Sequence, residues 1–192
     1  GRIWRIVRED RPIAYRPPSL ATLSEQIAAL DHPNGWVRDR AQRRLIAEAR
    51  PAALPRLRGL AAYGTRGQPH ALRALAGLGE LDAETWHAAL ASAVPGTRSL
   101  VLRLGESLGQ GADPDVARRI LEHVSDPDPG VRLQAILSLG ALAPGQRPSS
   151  TLADIGRGSD DPVIRQAVLS SLAGEELGLL DVPSFLPEGA PS

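Results

Sequence analysis

The sequence lacks several residue types on which particular kinds of chemistry depend. Its 192 residues contain no cysteine, no methionine and no lysine. Without cysteine, this chain has no disulfide, no thiolate metal ligand, no nucleophilic thiol and no covalent haem attachment. All 22 basic residues are arginine, a bias typical of a GC-rich coding sequence.

Aromatic residues are also scarce, with one Phe, two Tyr and three Trp. A core must therefore be built from Leu, Ala, Val and Ile, which favours closely packed helices over a wide β-sandwich. No apolar run approaches the roughly 20 residues of a membrane-spanning helix, and no signal peptide is recognisable. Because the chain begins at Gly1 without Met, we expect a processed product or a piece of a longer protein.

Charge is balanced overall but unevenly distributed. The 22 basic residues equal the 22 acidic ones, yet residues 1–58 carry 12 Arg against 6 acids and residues 59–192 carry 10 against 16. An Arg-rich first third could meet an acidic partner protein. The neutral whole argues against nucleic acid as a partner, since phosphate binding needs a continuous basic face.

A repeat of about 33 residues organises the middle of the chain. A Val/Ile-Arg or Thr-Arg step, followed by apolar residues at helical spacing, recurs at Arg38, Arg98, Arg132 and Arg165. Ala71 takes the same register position in a fifth segment, so that the successive steps are 33, 27, 34 and 33 residues. A period of this length is typical of stacked helix–turn–helix units.

Apolar residues step by four inside each unit, as Val37, Ala41 and Leu45 do in the first, and predict one apolar stripe per helix. Asp followed by Pro between the paired helices is a helix-start signal. The pattern predicts ten helices in five pairs, at 21–30 and 35–49, 52–63 and 68–79, 83–92 and 96–109, 114–124 and 129–143, and 149–157 and 161–174. The expected fold is an all-α, armadillo-like, right-handed α-solenoid of about five helix pairs.

The two ends of the chain differ from the repeats. Residues 1–8 are rich in β-branched side chains, which predicts a short N-terminal β-strand, and the following prolines predict an extended linker. The sequence therefore divides into a strand and Pro-rich linker at 1–19, the solenoid at 20–174, and a tail or second linker at 175–192.

The segments DPDPGVRLQAILSLG (126–140) and SDDPVIRQAVLSSL (159–172) resemble HEAT repeats, in which a turn Asp and a second-helix Arg recur. The order GRIWRI, RPPSL and NGWVRDRAQRRL, over 1–45, resembles the planctomycete–verrucomicrobial type of membrane-bound, multidomain c-type cytochrome. In that family a sorbosone-dehydrogenase-like β-propeller precedes a HEAT-like region, and a haem domain with CxxCH follows. The resemblance implies that 1–19 ends a propeller, that a parent protein carries haem c, and that the location is periplasmic or otherwise extracytoplasmic. This chain has no CxxCH, so the haem chemistry falls on none of its residues.

One short motif matches a hydrolase pattern. GESLG (105–109) fits G-x-S-x-G, in which a strand-to-helix turn exposes the nucleophilic serine. Ser107 follows a helical segment instead, which favours close packing of small residues and a helix end. The four histidines, His32, His70, His87 and His123, lie in separate units without metal-ligand spacing. We expect no catalytic, cofactor-binding or metal-binding residue in this chain.

The recurring arginines and the turn aspartates before them form the candidate site. Because an Arg fork can bridge two acceptors, we expect an Asp–Arg ladder that joins neighbouring repeats, with an anion-binding Arg row as the alternative. Asp126 or Asp128, and Asp160 or Asp161, are alternatives within their turns. The ladder residues are Asp31, Arg38, Arg98, Asp126, Asp128, Arg132, Asp160, Asp161 and Arg165.

Two tryptophans have both a structural and a functional interpretation. Trp36 and Trp86 are expected to pack between helices with the indole nitrogen satisfied nearby, and ligand stacking is the alternative.

Three functions compete. The leading hypothesis is a non-catalytic scaffold for protein–protein interaction, with neighbouring domains or subunits as partners. The second is part of a haem-containing oxidoreductase or electron-transfer protein, in which the chain helps to dock the cytochrome domain. The third, a nucleic-acid-handling HEAT enzyme, is disfavoured by the zero net charge.

Overall fold

The structure, a computed structural model, describes residue 10 and residues 17–108, 114–143 and 145–174. Over these ranges the regular structure consists of ten α-helices and two short 3-10 helices, with no strand. The all-α class is confirmed for this part of the chain. The predicted strand at 1–8 and the predicted tail at 175–192 lie outside the described residues.

The helices occur in five successive pairs, as the sequence predicted, with ends that differ from the predicted ones by a few residues. The pairs are α1 Leu23–Ala29 and α2 Gly35–Glu48; α3 Leu54–Ala62, preceded by the 3-10 turn Pro51–Ala53, and α4 Gln68–Gly77; α5 Ala83–Leu90 and α6 Pro95–Leu108; α7 Pro114–Leu121, continued by the 3-10 turn Glu122–Ser125, and α8 Pro129–Gly140; and α9 Ser149–Arg157 and α10 Pro162–Ser171.

The pairs stack in chain order. Each helix packs on its partner, and each second helix packs on the second helix of the next pair, so that α2, α4, α6, α8 and α10 form one continuous row. Among the first helices, α3 also packs on α5. Contacts made only between neighbouring units are the arrangement of a helical solenoid.

Short polar side chains begin several of these helices. The Asn or Asp side chain before α2, α5, α8 and α10 accepts a hydrogen bond from a first-turn backbone N–H, which offsets one donor that the helix leaves unpaired. The N–H donors are those of Trp36 to Asn34 at 3.0 Å, Thr85 to Asp82 at 2.8 Å, Val131 to Asp128 at 3.1 Å and Val163 to Asp161 at 2.8 Å. Pro129 and Pro162 follow two of these caps directly, where a missing N–H costs nothing.

The core lies along the line where the two rows of helices meet. The predicted stripe of Val37, Ala41 and Leu45 is buried in α2, and its counterpart Val131, Ala135 and Leu139 is buried in α8. Leu, Ala, Val and Ile fill nearly all of this core, as the scarcity of aromatic residues requires.

Trp86 is the aromatic residue of the core. Its side chain is fully buried, and its Nε1 donates a hydrogen bond to the carbonyl of Val101 at 2.6 Å. The ring lies so close to Gly105 that a Cβ there would come within 2.6 Å of it. Trp86 therefore packs between α5 and α6 with its indole nitrogen satisfied, as predicted.

The GESLG segment serves this packing rather than a strand-to-helix turn. Gly105 gives room for the Trp86 ring, and Ser107 lies in the last turn of α6, where its Oγ donates to the Leu104 carbonyl at 2.9 Å. A serine in the last turn of a helix is not at the strand-to-helix turn that a nucleophile elbow requires.

Trp36 was predicted to pack between helices, and this prediction is wrong. Its side chain is 54% exposed in the first turn of α2. Val163 occupies the same register position in α10 and is 55% exposed. In α2 and α10 this position points to solvent, so no other helix covers a side chain there.

The difference in burial between Leu139 and Arg132 predicts which of two substitutions destabilises the fold more. Leu139→Ala should lower the free energy of unfolding by about 2–4 kcal/mol, because Leu139 is fully buried and its removal leaves a cavity. Arg132→Ala should cost about 1 kcal/mol, because this side chain is only partly buried and donates to two turn carbonyls. Urea unfolding of both variants checks the order, and a larger loss for Arg132→Ala would contradict it.

Candidate functional site

The recurring arginines share one geometry that spacing alone did not reveal. In three repeats the Nη1 atom donates to the backbone carbonyl six residues earlier, in the turn that joins the two helices of the same pair. These bonds run from Arg38 to His32 at 2.7 Å, from Arg98 to Ser92 at 2.8 Å and from Arg132 to Asp126 at 2.9 Å. In these three repeats, the recurring arginine thus closes the turn of its own helix pair.

Arg98 also makes the most buried ion pair between repeats in the described part of the chain. Its Nε and Nη2 bind the two carboxylate oxygens of Asp126 at 2.9 and 2.7 Å, and the two side chains are only 13% and 5% exposed. Asp126 lies in the turn before α8, so the pair joins the third repeat to the fourth. Two parallel N–H···O bonds fix direction as well as distance.

The surroundings of Asp126 favour its charged form. Hydrogen bonds from Arg98 are the main cause that lowers the pKa of Asp126 far below its ordinary value, and burial opposes them. The Asp128 N–H, which donates to Asp126 at 2.9 Å, and the contact with His123 lower the pKa further.

This shift predicts a specific acid sensitivity. A carboxylate whose folded-state pKa is depressed stabilises the fold above its unfolded-state pKa of about 4 and loses that contribution as pH falls toward the folded-state value. Asp126→Asn should therefore be clearly less stable than the parent at pH 6, and the gap should narrow below about pH 4. Urea unfolding at pH 6, 4 and 3 checks this, and a gap that stays constant over the range would contradict it.

The first repeat departs from the expected ladder. Asp31 does not bind Arg38; its Oδ1 accepts from the Gly67 backbone N–H, in the turn of the second repeat, at 2.8 Å. Arg38 reaches the second repeat through His70, its Nε lying 3.1 Å from His70 Nε2. The turn before α4 contains no Asp, so the arginine has an imidazole in place of a carboxylate.

His70 is suited to this position as a neutral ring. Burial and then the charge of Arg38 lower its pKa. Nδ1 lies 2.9 Å from Gln42 Oε1, so a proton on Nδ1 leaves Nε2 to accept from Arg38. The first two repeats are thus linked by Arg38, His70 and Gln42, in addition to the bond between Asp31 and the Gly67 N–H.

The other predicted ladder residues do not form Asp–Arg pairs within the described ranges. Asp128 and Asp161 begin α8 and α10 as caps, so the alternative aspartate, Asp126, is the one that binds an arginine. Arg132 donates to the carbonyls of Asp126 and Pro127 only. Asp160 and Arg165 are exposed at the last turn and helix. A rung needs a buried carboxylate in the following turn, and only the turn before α8 supplies one.

Sequence reasoning missed a polar link between α6 and α8. Glu106 Oε1 accepts from Ser138 Oγ at 2.8 Å and from Gln134 Nε2 at 3.2 Å. Glu106 lies eight residues after Arg98, whereas Gln134 and Ser138 lie two and six residues after Arg132. The repeat register therefore gave no signal for this link.

The second helices present one surface to solvent, which we call the second-helix face. It consists of the solvent-accessible residues Trp36, Asp39, Arg40, Arg43, Arg73, Arg103, Leu133, Leu137, Val163, Gln166 and Ser170. These residues share a side of the molecule because equivalent register positions repeat along the row of second helices.

The part of the face near the N-terminus is basic and carries one aromatic side chain. The guanidinium carbon of Arg40 lies 5.4 Å from the centre of the Trp36 ring, a cation–π arrangement. Arg43, Arg73 and Arg103 continue the exposed positive charge across α2, α4 and α6. This part of the face is suited to an acidic partner.

The other end of the face is apolar. A groove of ≈ 460 Å³ runs between α8 and α10, lined by Leu133, Leu137, Pro162, Val163 and small or polar side chains of α10. Leu137 and Val163 are 39% and 55% exposed. The charged residues of α8 and α10 are limited to Arg132 and Arg165, so an apolar side chain entering the groove would meet little charge.

Over the described ranges, no three or more His, Asp and Glu side chains converge in a way that could hold a metal ion. No helix in those ranges has the length and apolar character needed to cross a membrane.

Comparison with known families gives a match for the second part of the chain. Residues 83–173, which contain α5 to α10, match the family model for HEAT repeats. The matched part of the chain is similar to HEAT repeats, and it includes the Arg98–Asp126 pair and the apolar groove. No curated protein matches the chain. The likeness to the multidomain cytochrome family therefore stays a prediction from the sequence.

Proposed function

We propose that the chain is a non-catalytic scaffold for protein–protein interaction and that the second-helix face is its binding surface. HEAT repeats commonly serve this purpose, since their stacked helices offer an extended surface. The observation that carries the proposal is the composition of the face, which has an exposed Trp–Arg pair at one end and an open apolar groove at the other.

Both ends of the face have the properties of binding hot spots. Tryptophan and arginine are enriched among residues whose truncation weakens protein interfaces most. Trp36 is held by Arg40 and is already half exposed, so little rearrangement precedes binding. The groove supplies the apolar pocket into which a partner's anchor residue can fit.

The spacing of the helices defines the kind of partner. Neighbouring helices pack about 8–10 Å apart, so the row from α2 to α10 extends over roughly 30–40 Å. A matching partner is a protein segment of that reach, with acidic residues opposite α2, α4 and α6 and an apolar side chain opposite α8 and α10. Charge would guide its approach, and the groove would hold it.

Selection from a peptide library displayed on phage tests this proposal. The immobilised chain should enrich peptides that combine acidic residues with an apolar anchor. Their affinity should fall by about tenfold or more for Trp36→Ala and for Leu137→Ser. Tyr63→Ala is the matched control, because Tyr63 is an exposed aromatic residue that ends a first helix. Peptides that respond to Tyr63→Ala but not to the other two variants would contradict the proposal.

A further inference from the structure

The last repeat differs from the others at one register position. Leu75, Leu102 and Ile136 occupy this position in α4, α6 and α8 and are 0%, 0% and 1% exposed. In α2 the same position holds Gln42, which contacts His70 of the following repeat. The position thus faces the next helix pair, and the next pair covers it.

Leu169 holds this position in α10 and is 41% exposed. No helix pair follows α10 within the described ranges. A leucine in a position that is otherwise buried along the stack favours a cover of some kind, because removing its apolar surface from water stabilises the fold.

The exposure of Arg165 is a second indication that something covers this end of the stack. Arg38 and Arg98, at the equivalent position, both reach into the following repeat, to His70 and to Asp126, whereas Arg132 binds only its own turn. Arg165 is exposed. Leu169 and Arg165 are four residues apart and lie on one side of α10. We call them together the end face.

We propose that the segment 177–186 of this chain docks on the end face and caps the stack. The segment reads LGLLDVPSFL and contains four leucines, one valine and the chain's single phenylalanine. Residues 175–192 carry four acidic residues and no arginine. The composition therefore complements both members of the end face, with apolar side chains for Leu169 and carboxylates for Arg165.

The segment is also within reach. Leu169 lies five residues before Gly174, about 7–8 Å along the helix axis, and Arg165 lies about 13 Å before it. An extended chain advances about 3.3–3.6 Å per residue, so three or four residues beyond Gly174 suffice to return to Leu169. The end face is therefore within reach of Leu177, Leu179 and Leu180, and the acidic residues nearest to them in the sequence are Glu175, Glu176 and Asp181.

The absence of cysteine makes a direct test straightforward, because any introduced thiol is unique. For each variant, the rate at which the thiol reacts with a water-soluble disulfide reagent is divided by the rate of the same thiol in urea. In the full chain this ratio should be about tenfold lower for Leu169→Cys than for Val163→Cys. Val163 is the matched control, since it lies on the same helix but on the second-helix face. Adding Leu179→Asp and Leu180→Asp should raise the Leu169→Cys rate to that of Val163→Cys, which itself should not change.

Three results would overturn the proposal. The first is a Leu169→Cys thiol that reacts as fast as Val163→Cys in the parent background. The second is protection that survives the two aspartate substitutions, or their milder counterparts Leu179→Ser and Leu180→Ser, in protein whose circular dichroism is unchanged. The third is protection that grows with protein concentration, which would assign the end face to a second copy of the chain. None of these results depends on peptide binding at the second-helix face, so the two proposals are tested separately.

Discussion

Asp126→Ala should lower the free energy of unfolding by about 3–5 kcal/mol, the range for breaking a buried ion pair by removing one partner. The carboxylate is 5% exposed and accepts both Arg98 bonds and the Asp128 N–H. Its loss leaves the Arg98 guanidinium, which is 13% exposed, without its carboxylate partner. It also removes one link between the third and fourth repeats. Chemical unfolding at pH 7 measures the effect.

A double-mutant cycle separates the pair from the residues around it. Arg98→Ala with Asp126→Ala should cost less than the sum of the single changes, because each single change leaves a buried charge unpaired. Asp161→Ala is the control, since it removes a helix cap with no arginine attached and should cost about 1 kcal/mol. Equal losses for Asp126→Ala and Asp161→Ala would show that the pair contributes no more than an ordinary cap.

Trp86→Ala should lower the free energy of unfolding by about 3–5 kcal/mol, the range for large-to-small changes of a buried aromatic residue. The ring is fully buried, fills the space above Gly105 and satisfies the Val101 carbonyl. Alanine leaves a cavity and removes the hydrogen bond from the indole to the Val101 carbonyl. Neighbouring side chains cannot easily fill the space, because α6 presents a glycine there.

Trp36→Ala is the matched control for this change. Trp36 is 54% exposed, and its contact with Arg40 lies at the surface, so the cost should stay within about 0.5 kcal/mol. Thermal or urea unfolding of the two variants provides the comparison. If Trp36→Ala were as costly as Trp86→Ala, the first turn of α2 would have to pack against something that stabilises the fold.

The helix pairs could be predicted because their physical signals are local. Apolar residues four apart define each stripe, and Asp–Pro pairs mark the start of α8 and α10. These signals depend on the chain within one helix turn, so the sequence contains them in full. The HEAT match over 83–173 agrees with the same reasoning.

The ladder and the exposure of Trp36 depend on non-local geometry. Whether an arginine meets a carboxylate depends on what the next turn carries, and only Arg98 finds a buried Asp there. The six-residue reach of Arg38 and Arg132 to their own turns required the turn conformation. Tryptophan is usually a core residue, but the register position of Trp36 faces solvent. Its counterpart in α10, Val163, is exposed as well.

The most direct test of the central claim is to map bound peptide on the chain by amide chemical-shift changes in nuclear magnetic resonance. Titration with a selected acidic–apolar peptide should shift resonances of α2, α4, α6, α8 and α10, most strongly near Trp36, Leu137 and Val163. Resonances of the first helices, including that of Tyr63, should move little. Shifts concentrated on α1, α3, α5, α7 and α9 would contradict the assignment of the second-helix face as the binding surface.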